Sequence, residues 1–238
     1  MKNYIGVGYV ERTPDYWELF RTNYRGVAAN TFEQLKSEKT VQLDLGAQFE
    51  HGAWNAWTSA YVGHIKDFIL MSYQGSVVNS NNVDANIAGA EAGLGYQFTD
   101  QLKADVSAMY AWGENTTDST PLAQIAPLEA RFNLNYVTEK YSLGALWRVV
   151  APQNRISLNQ GNIVGYDIGK SKGFATLALN ATYKVMDNVD FSVGIDNVFN
   201  KNYAEHLNKL GVGLDGQVAT EQFNNVGRNY WMRMNMKF

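Results

Sequence analysis

Apolar and polar side chains alternate along the last stretch of the sequence, GRNYWMRMNMKF, at residues 227–238. Large apolar residues occupy every second position there, namely Tyr230, Met232, Met234, Met236 and Phe238. A period of two predicts a β-strand with one apolar face and one mainly polar face. Such a strand suits a barrel whose apolar face meets lipid while its polar face lines the interior.

The same alternation recurs earlier in the chain and predicts ten antiparallel strands in all. They span residues 4–10, 40–50, 54–69, 88–98, 102–112, 128–136, 141–149, 175–183, 189–195 and 230–238. Short turns alternate with long polar loops, which we expect at 11–39, 72–84, 113–127, 151–171 and 197–226. Outer-membrane barrels place all short turns on one side, whereas a soluble sandwich or lipocalin has no reason to do so. We therefore predict an all-β fold, an antiparallel transmembrane β-barrel segment of about ten strands.

Composition agrees with a membrane role that depends on strands. The 238 residues include 14 Tyr, 11 Phe and 6 Trp but only 4 Pro, and the net charge is −3. This charge gives no reason to expect a nucleic-acid partner, and the absence of cysteine excludes disulfides and thiolate metal sites. Apolar runs fall short of the roughly 18 residues that a membrane helix needs. The first residues, MKNYIGVGYV, lack the apolar region of a signal peptide.

Three stretches of the sequence resemble a known family. VDFSVGIDNVFNKNYAEHL (residues 189–207), followed by the closing strand, is similar to the C-terminal signature of TonB-dependent outer-membrane receptors. GVGYVERTPDYWELF (6–20) and LGALWRVVAPQNRIS (143–157) resemble the TonB-dependent copper receptor subgroup. The resemblance implies a 22-stranded barrel occluded by an N-terminal plug, which imports scarce ligands with force relayed by TonB. A siderophore receptor is one alternative, and a passive pore or structural barrel is another.

The resemblance covers only the late part of such a receptor. The sequence has no plug, no TonB-contacting box and no early strands, so we expect residues 1–238 to be the C-terminal part of a receptor barrel. Ten strands of a larger barrel should form an open sheet, since diameter follows strand number. The implied location is the outer membrane of a Gram-negative bacterium. The implied partners are outer-membrane lipid, the missing plug and early strands, TonB through that missing part, and the outer-membrane assembly machinery.

Five residues are candidates for guiding a ligand into the barrel. Arg12 and Trp17 lie at the root of an outer loop, where loop packing or an aromatic girdle is the alternative. The alternation places His64 and Met109 on the interior face, where His64 could also be an ordinary polar wall residue. His206 lies in a long loop, either as a ligand contact or as a solvated loop histidine.

Copper, which the resemblance implies as the transported ligand, prefers thiolate, thioether and imidazole donors. Met232, Met234 and Met236 share the lipid-facing phase of Phe238, so that we assign no metal site and no bound cofactor to this stretch. Tyr230, the three methionines and Phe238 are instead implied by the resemblance to form the outer-membrane insertion signal. No nucleophile, phosphate loop or paired-histidine zinc motif occurs, and we predict that the chain is not an enzyme.

Overall fold

The computed structural model describes residues 1–19, 35–74, 77–212 and 218–237. Ten strands form the continuous path of one antiparallel sheet, in the order in which they follow along the chain. They are β1 (Lys2–Arg12), β2 (Glu38–His51), β3 (Trp54–Gln74), β4 (Val77–Gln97), β5 (Leu102–Asn115), β7 (Glu129–Val137), β8 (Tyr141–Val150), β10 (Phe174–Met186), β11 (Val189–Asp196) and β14 (Asn229–Met236).

Several short strands and one helical turn lie at the end of the sheet where the long loops are. β6 (Thr120–Pro121) pairs with β5, and β9 (Gln160–Gly161) pairs with β3, which completes a 12-stranded sheet. β12 (Leu210–Val212) and β13 (Val218–Gln222) form a separate two-stranded sheet, and α1 (Tyr16–Leu19) is a single helical turn. No helix among the described residues is long and apolar enough to cross a membrane.

The sheet is open, as the sequence predicts for part of a larger barrel. Among the described residues, β1 pairs only with β2 and β14 pairs only with β11, so that one side of each of these strands has no partner. Their backbone N–H and C=O groups on that side are therefore available to further strands. The prediction of ten antiparallel strands is confirmed.

The prediction of a polar loop over residues 72–84 is wrong. β3 and β4 continue as one long hairpin, in which Tyr73 pairs with Val78 and Met71 pairs with Ser80. Side chains of this extension are buried, with Ile69 1%, Leu70 3% and Met71 0% exposed. β9 pairs with β3 at Met71 and Ser72 and covers the hairpin. The Asn- and Ser-rich return strand pairs with β3, which is itself bonded to β9 from far along the chain.

Strand pairing divides the side chains of the sheet into two faces. Directly paired residues of antiparallel strands point to the same side. The apolar face is continuous across the strands and its large side chains are exposed, for example Val7 at 77%, Leu45 at 46%, Trp147 at 51% and Met232 at 75%. The polar face carries Asp44, Glu91, Asp105, Arg131 and Asn180. A continuous belt of exposed apolar side chains is typical of a surface that contacts lipid or another protein.

Aromatic side chains on the polar face lie over glycines of the neighbouring strands. A Cβ atom at Gly46 would overlap the ring of Tyr4, and one at Gly89 would overlap the ring of Tyr61. Trp57 covers Gly93 in the same way, and Trp231 covers Gly194. The glycines therefore make room for flat rings that lie along the wall.

Candidate functional site

Asp167 lies at the centre of a cluster of loops at the long-loop end of the sheet. Its side chain is fully buried. Oδ1 accepts hydrogen bonds from the backbone N–H of Gln124 at 3.1 Å and from its side-chain Nε2 at 3.0 Å. Oδ2 accepts one from the N–H of Ser157 at 2.9 Å. Asp167 thus joins the loop after β6 to the loop between β8 and β10.

His206 brings a third loop to the same carboxylate. Its side chain is 1% exposed, and its Nε2 lies 3.3 Å from Oδ1 of Asp167. This distance allows an ion pair when the imidazole is protonated, but neither ring nitrogen forms a hydrogen bond among the described residues. Burial by itself raises the pKa of Asp167, yet contacts from His206, Ser157 and Gln124 outweigh it and hold the pKa below its usual range.

The neighbouring residue, Glu205, attaches the same loop to the wall of the sheet. Arg148 on β8 forms ion pairs with Glu205 at 2.5 Å and with Glu129 on β7 at 2.6 Å. Arg131 forms a further ion pair with Glu129 at 2.6 Å, and Arg148 stacks over the ring of Phe174 at 5.2 Å. Two adjacent residues, Glu205 and His206, therefore hold the loop after β11 to both the wall and the loop cluster.

Arg12 is the centre of a second charged cluster, at the end of β1. It forms ion pairs with Glu38 at 2.7 Å and with Glu18 at 3.0 Å, and both carboxylates are nearly buried. Asp15 accepts hydrogen bonds from the N–H groups of Trp17 and Glu18 and so caps α1. Trp17 is 61% exposed on this fixed turn. The guanidinium of Arg12 therefore holds the turn in place, while a role of Arg12 or Trp17 in ligand access stays a prediction.

Met109 lies on the polar face, where the alternation predicts it. It pairs across the strands with Glu91 on one side and Glu129 on the other. Its neighbours on the same face are thus two glutamates, of which Glu129 is already bound by arginines. The predicted face is confirmed, while a role in ligand access stays a prediction.

His64 lies on the opposite face from the one predicted. It pairs with Val41 and Asn86 on the apolar face, and its Nδ1 is 2.8 Å from Oδ1 of Asn86. Trp57, Tyr61 and Ile65, which we assign to the apolar face from the sequence, in fact pair with Gln48, Asp44 and Thr40 on the polar face. The large residues of β3 point inward because glycines on β4 leave space for their rings. The interior face predicted for His64 is therefore wrong, while a role in ligand access stays a prediction.

Tyr230, Met232, Met234 and Met236 lie on the apolar face of β14, paired with Ile195, Val193, Phe191 and Val189. All four are exposed, as the closing-strand pattern predicts. Phe238 lies outside the described residues. Their function as an insertion signal stays a prediction.

The candidate residues do not converge on one metal centre. Among the described residues, no three side chains of the histidine, aspartate and glutamate types come together in a group able to hold a metal ion. His206 reaches Asp167 in the loop cluster, Met109 lies on the wall, and His64 is on the far face. Sequence reasoning missed Asp167 and Glu205, since an isolated charge in a loop has no periodic signal. It also missed the pairing of Arg148 on β8 with Glu205, since their contact joins residues far apart in the chain.

Comparison with known proteins identifies the family. The family described as "TonB dependent receptor-like, beta-barrel" matches residues 2–198. The ferric enterobactin receptor of Pseudomonas aeruginosa is 23% identical over 227 residues, which cover 86% of this chain and 30% of that protein.

Solved structures show the same fold. A structure of the copper transporter OprC superposes with a TM-score of 0.92 at 49% identity, over 99% of this chain and 37% of that one. The FrpB iron transporter from Neisseria meningitidis (F3-3 variant) superposes with a TM-score of 0.64 at 23% identity, over 86% of this chain and 31% of that one. This chain thus spans about a third of the length of these proteins, and it belongs to the TonB-dependent receptors, as part of their β-barrel domain.

Proposed function

We propose that residues 1–238 form the C-terminal part of the barrel wall and outer loops of a TonB-energised receptor that imports copper. The observation that carries the proposal is the superposition on the copper transporter, at 49% identity over 99% of the chain. The iron and enterobactin receptors share the fold at 19–23% identity, which supports the architecture alone.

In this proposal the apolar face meets the lipid of the outer membrane and the polar face lines the interior. The belt of exposed apolar side chains, from Val7 on β1 to Met232 on β14, supports this orientation. The long-loop end then faces outward, as in bacterial barrels generally. Its two charged clusters, around Asp167 and around Arg12, hold outer loops in fixed positions over the interior.

The open sheet favours the interpretation that these strands are part of a larger barrel, rather than a small passive pore. β1 and β14 do not pair within the described residues, and about 22 strands are needed to enclose a plug. The early strands, the plug and its contact with TonB are therefore supplied by sequence beyond this stretch. We also propose that Phe238 and the apolar face of β14 are recognised by the outer-membrane assembly machinery.

Uptake measurements on the full-length receptor test the function. Cells lacking the receptor should accumulate less copper than cells in which it is restored, measured by elemental mass spectrometry under copper limitation. Inactivating TonB should remove the difference. A receptor that restores ferric siderophore uptake but leaves cellular copper unchanged would establish the siderophore alternative. Copper entry that persists without TonB would establish a passive pore.

A further inference from the structure

A small cavity lies where the apolar face meets the long loops. It has a volume of about 100 Å³ and is lined by Tyr110, Trp112, Leu122, Ile125, Pro152 and Arg155, among others. Tyr110 and Trp112 belong to the apolar face, because they pair with Ala90 and Ala88 on β4. Leu122 and Ile125 close the cavity on the interior side, because they pack with Ile65 and Ala85 of the polar face. Tyr110, which is 49% exposed, borders the cavity on the apolar side. Aromatic rings of barrels meet the headgroups of lipids at such positions.

Arg155 is held in this cavity by two contacts. Its Nη2 donates to the carbonyl of Gly113 at 3.2 Å, and its Cζ lies 5.0 Å from the centre of the Trp112 ring. No carboxylate lies within 4.0 Å of its guanidinium among the described residues. The guanidinium has five N–H donors, so most of them remain for a ligand.

The walls of the cavity are fixed by a buried glutamine. Gln153 is 8% exposed. Its Nε2 donates to the carbonyl of Ile125 at 2.9 Å, and its Oε1 accepts from the N–H of Arg155 at 3.0 Å. Its own backbone bonds with Ser171 in both directions. The loop that carries Arg155 is thus positioned before any ligand arrives.

We propose that this cavity binds the phosphate of a lipid of the outer leaflet, with Arg155 as the phosphate ligand and Trp112 as the platform for it. The planar guanidinium fork matches phosphate oxygens, and stacking on an aromatic face leaves its edge free for them. The apolar lining and the adjoining belt accommodate the first carbons of the acyl chains. Free phosphate would leave that apolar surface unused. This inference rests on the proposed position of the chain in the outer membrane.

Native mass spectrometry of the purified full-length receptor in detergent tests the site. The probes are phosphatidic acid and diacylglycerol with the same acyl chains, which differ only in the phosphate. We expect retention of phosphatidic acid, and at least about tenfold weaker binding in Arg155→Gln, as for loss of one charge-assisted hydrogen bond. Arg155→Lys should be intermediate, because it keeps the charge but loses the fork and the stacking. Trp112→Leu should also bind more weakly.

Arg228→Gln is the matched control. Arg228 is also an exposed arginine whose guanidinium donates to a backbone carbonyl, that of Val198 at 2.8 Å. In the described part of the chain, no aromatic ring makes a cation–π contact with it. Its substitution should leave lipid retention unchanged. Equal binding by wild type and Arg155→Gln, or equal retention of diacylglycerol and phosphatidic acid, would overturn the proposal. If excess inorganic phosphate displaced phosphatidic acid, the site would bind free phosphate, and a lipid would not be the source of the bound phosphate.

Two readouts separate this proposal from the uptake function. Fractionation of cells shows whether each variant reaches the outer membrane, so that a variant that fails to fold is recognised and Arg155→Lys then takes its place. Copper accumulation should be the same in Arg155→Gln as in wild type, because the cavity lies on the apolar side of the wall. Absence of the wild-type protein from the outer membrane would refute both proposals. A wild-type protein that reaches the outer membrane and binds phosphatidic acid, but does not raise cellular copper, would refute only the proposed function.

Discussion

At the scale of single residues, the molecule depends on buried charges in its loops. The Asp167 carboxylate is removed from water and yet receives three hydrogen bonds, from two residues of separate loops, beside the imidazole of His206. A buried carboxylate is stable only when its lone pairs are satisfied in this way. The carboxylate therefore determines how three loops sit against each other.

Replacing Asp167 with asparagine should loosen these loops. The amide keeps the size of the side chain but loses the charge and one acceptor, so that N–H groups and the His206 ring lose their partner. We expect the free energy of opening residues 155–171 to fall by about 1–3 kcal/mol. Hydrogen–deuterium exchange of the full-length protein should show it as faster exchange in that peptide. Asp187→Asn, at an exposed turn, is the control and should change nothing there.

The same variant also tests how the stabilising effect of Asp167 depends on pH. The pKa of Asp167 is lower in the folded protein, so its stabilising effect is complete above the ordinary carboxyl pKa of about 3.9 and declines as the pH falls through its lowered pKa. The difference in protection between wild type and Asp167→Asn should thus persist from neutral pH to about pH 4 and shrink in stronger acid. A difference that vanishes already near pH 6 would contradict a lowered pKa for Asp167.

At the scale of elements, each strand is defined by which of its faces meets the apolar surroundings. β2 shows this clearly, because Val41, Leu43 and Leu45 alternate with Gln42 and Asp44, and β1 and β3 continue the same two faces. β3 is different, since its bulky rings lie on the polar face over glycines of β4. Its apolar face carries smaller residues such as Ala56 and Ala60.

Arginine substitutions on β2 should distinguish the two faces. Leu43→Arg places a charge in the lipid and should cost about 2–4 kcal/mol at the middle of the membrane. Gln42→Arg, one residue away, points to the interior, where Asp44 already accepts a hydrogen bond from Gln42 at 2.8 Å. Refolding of the full-length protein into lipid vesicles, followed by unfolding in denaturant, measures both. Equal losses in the two variants would contradict the assignment of faces.

At the scale of the whole molecule, the described residues form a wall and hold its loops in place. Their potential copper donors, however, lie far apart. His206 contacts Asp167, Met71 is fully buried within the β3–β4 hairpin, and Met109 pairs across the strands with two glutamates. Tight binding of copper requires several donors that converge. The decisive ligands of the receptor should therefore come from sequence beyond this stretch.

Copper titration of the full-length receptor tests this arrangement. Met109→Ala and His64→Ala should each bind copper about as tightly as wild type, because the two side chains lie on opposite faces of the sheet. Neither belongs to a metal-binding group of His, Asp or Glu within the described ranges. Isothermal calorimetry under reducing conditions measures the affinity, and His51→Ala, at a short turn, serves as a further control. Loss of tight binding in Met109→Ala would place the metal site on this wall.

The sequence by itself determined the strands, their order and most of their faces, because a pleated strand shows its two faces in a period of two and each short turn joins neighbouring strands. It also predicted the family, from the resemblance of residues 189–207 and 227–238, and the family match over residues 2–198 confirms it. Only the tertiary structure decided the face of β3, since the space for Trp57 and Tyr61 is made by glycines on another strand. It alone decided the loop cluster as well, because the partners of Asp167 include Gln124 and His206, and no local pattern records contacts between residues so far apart in the chain.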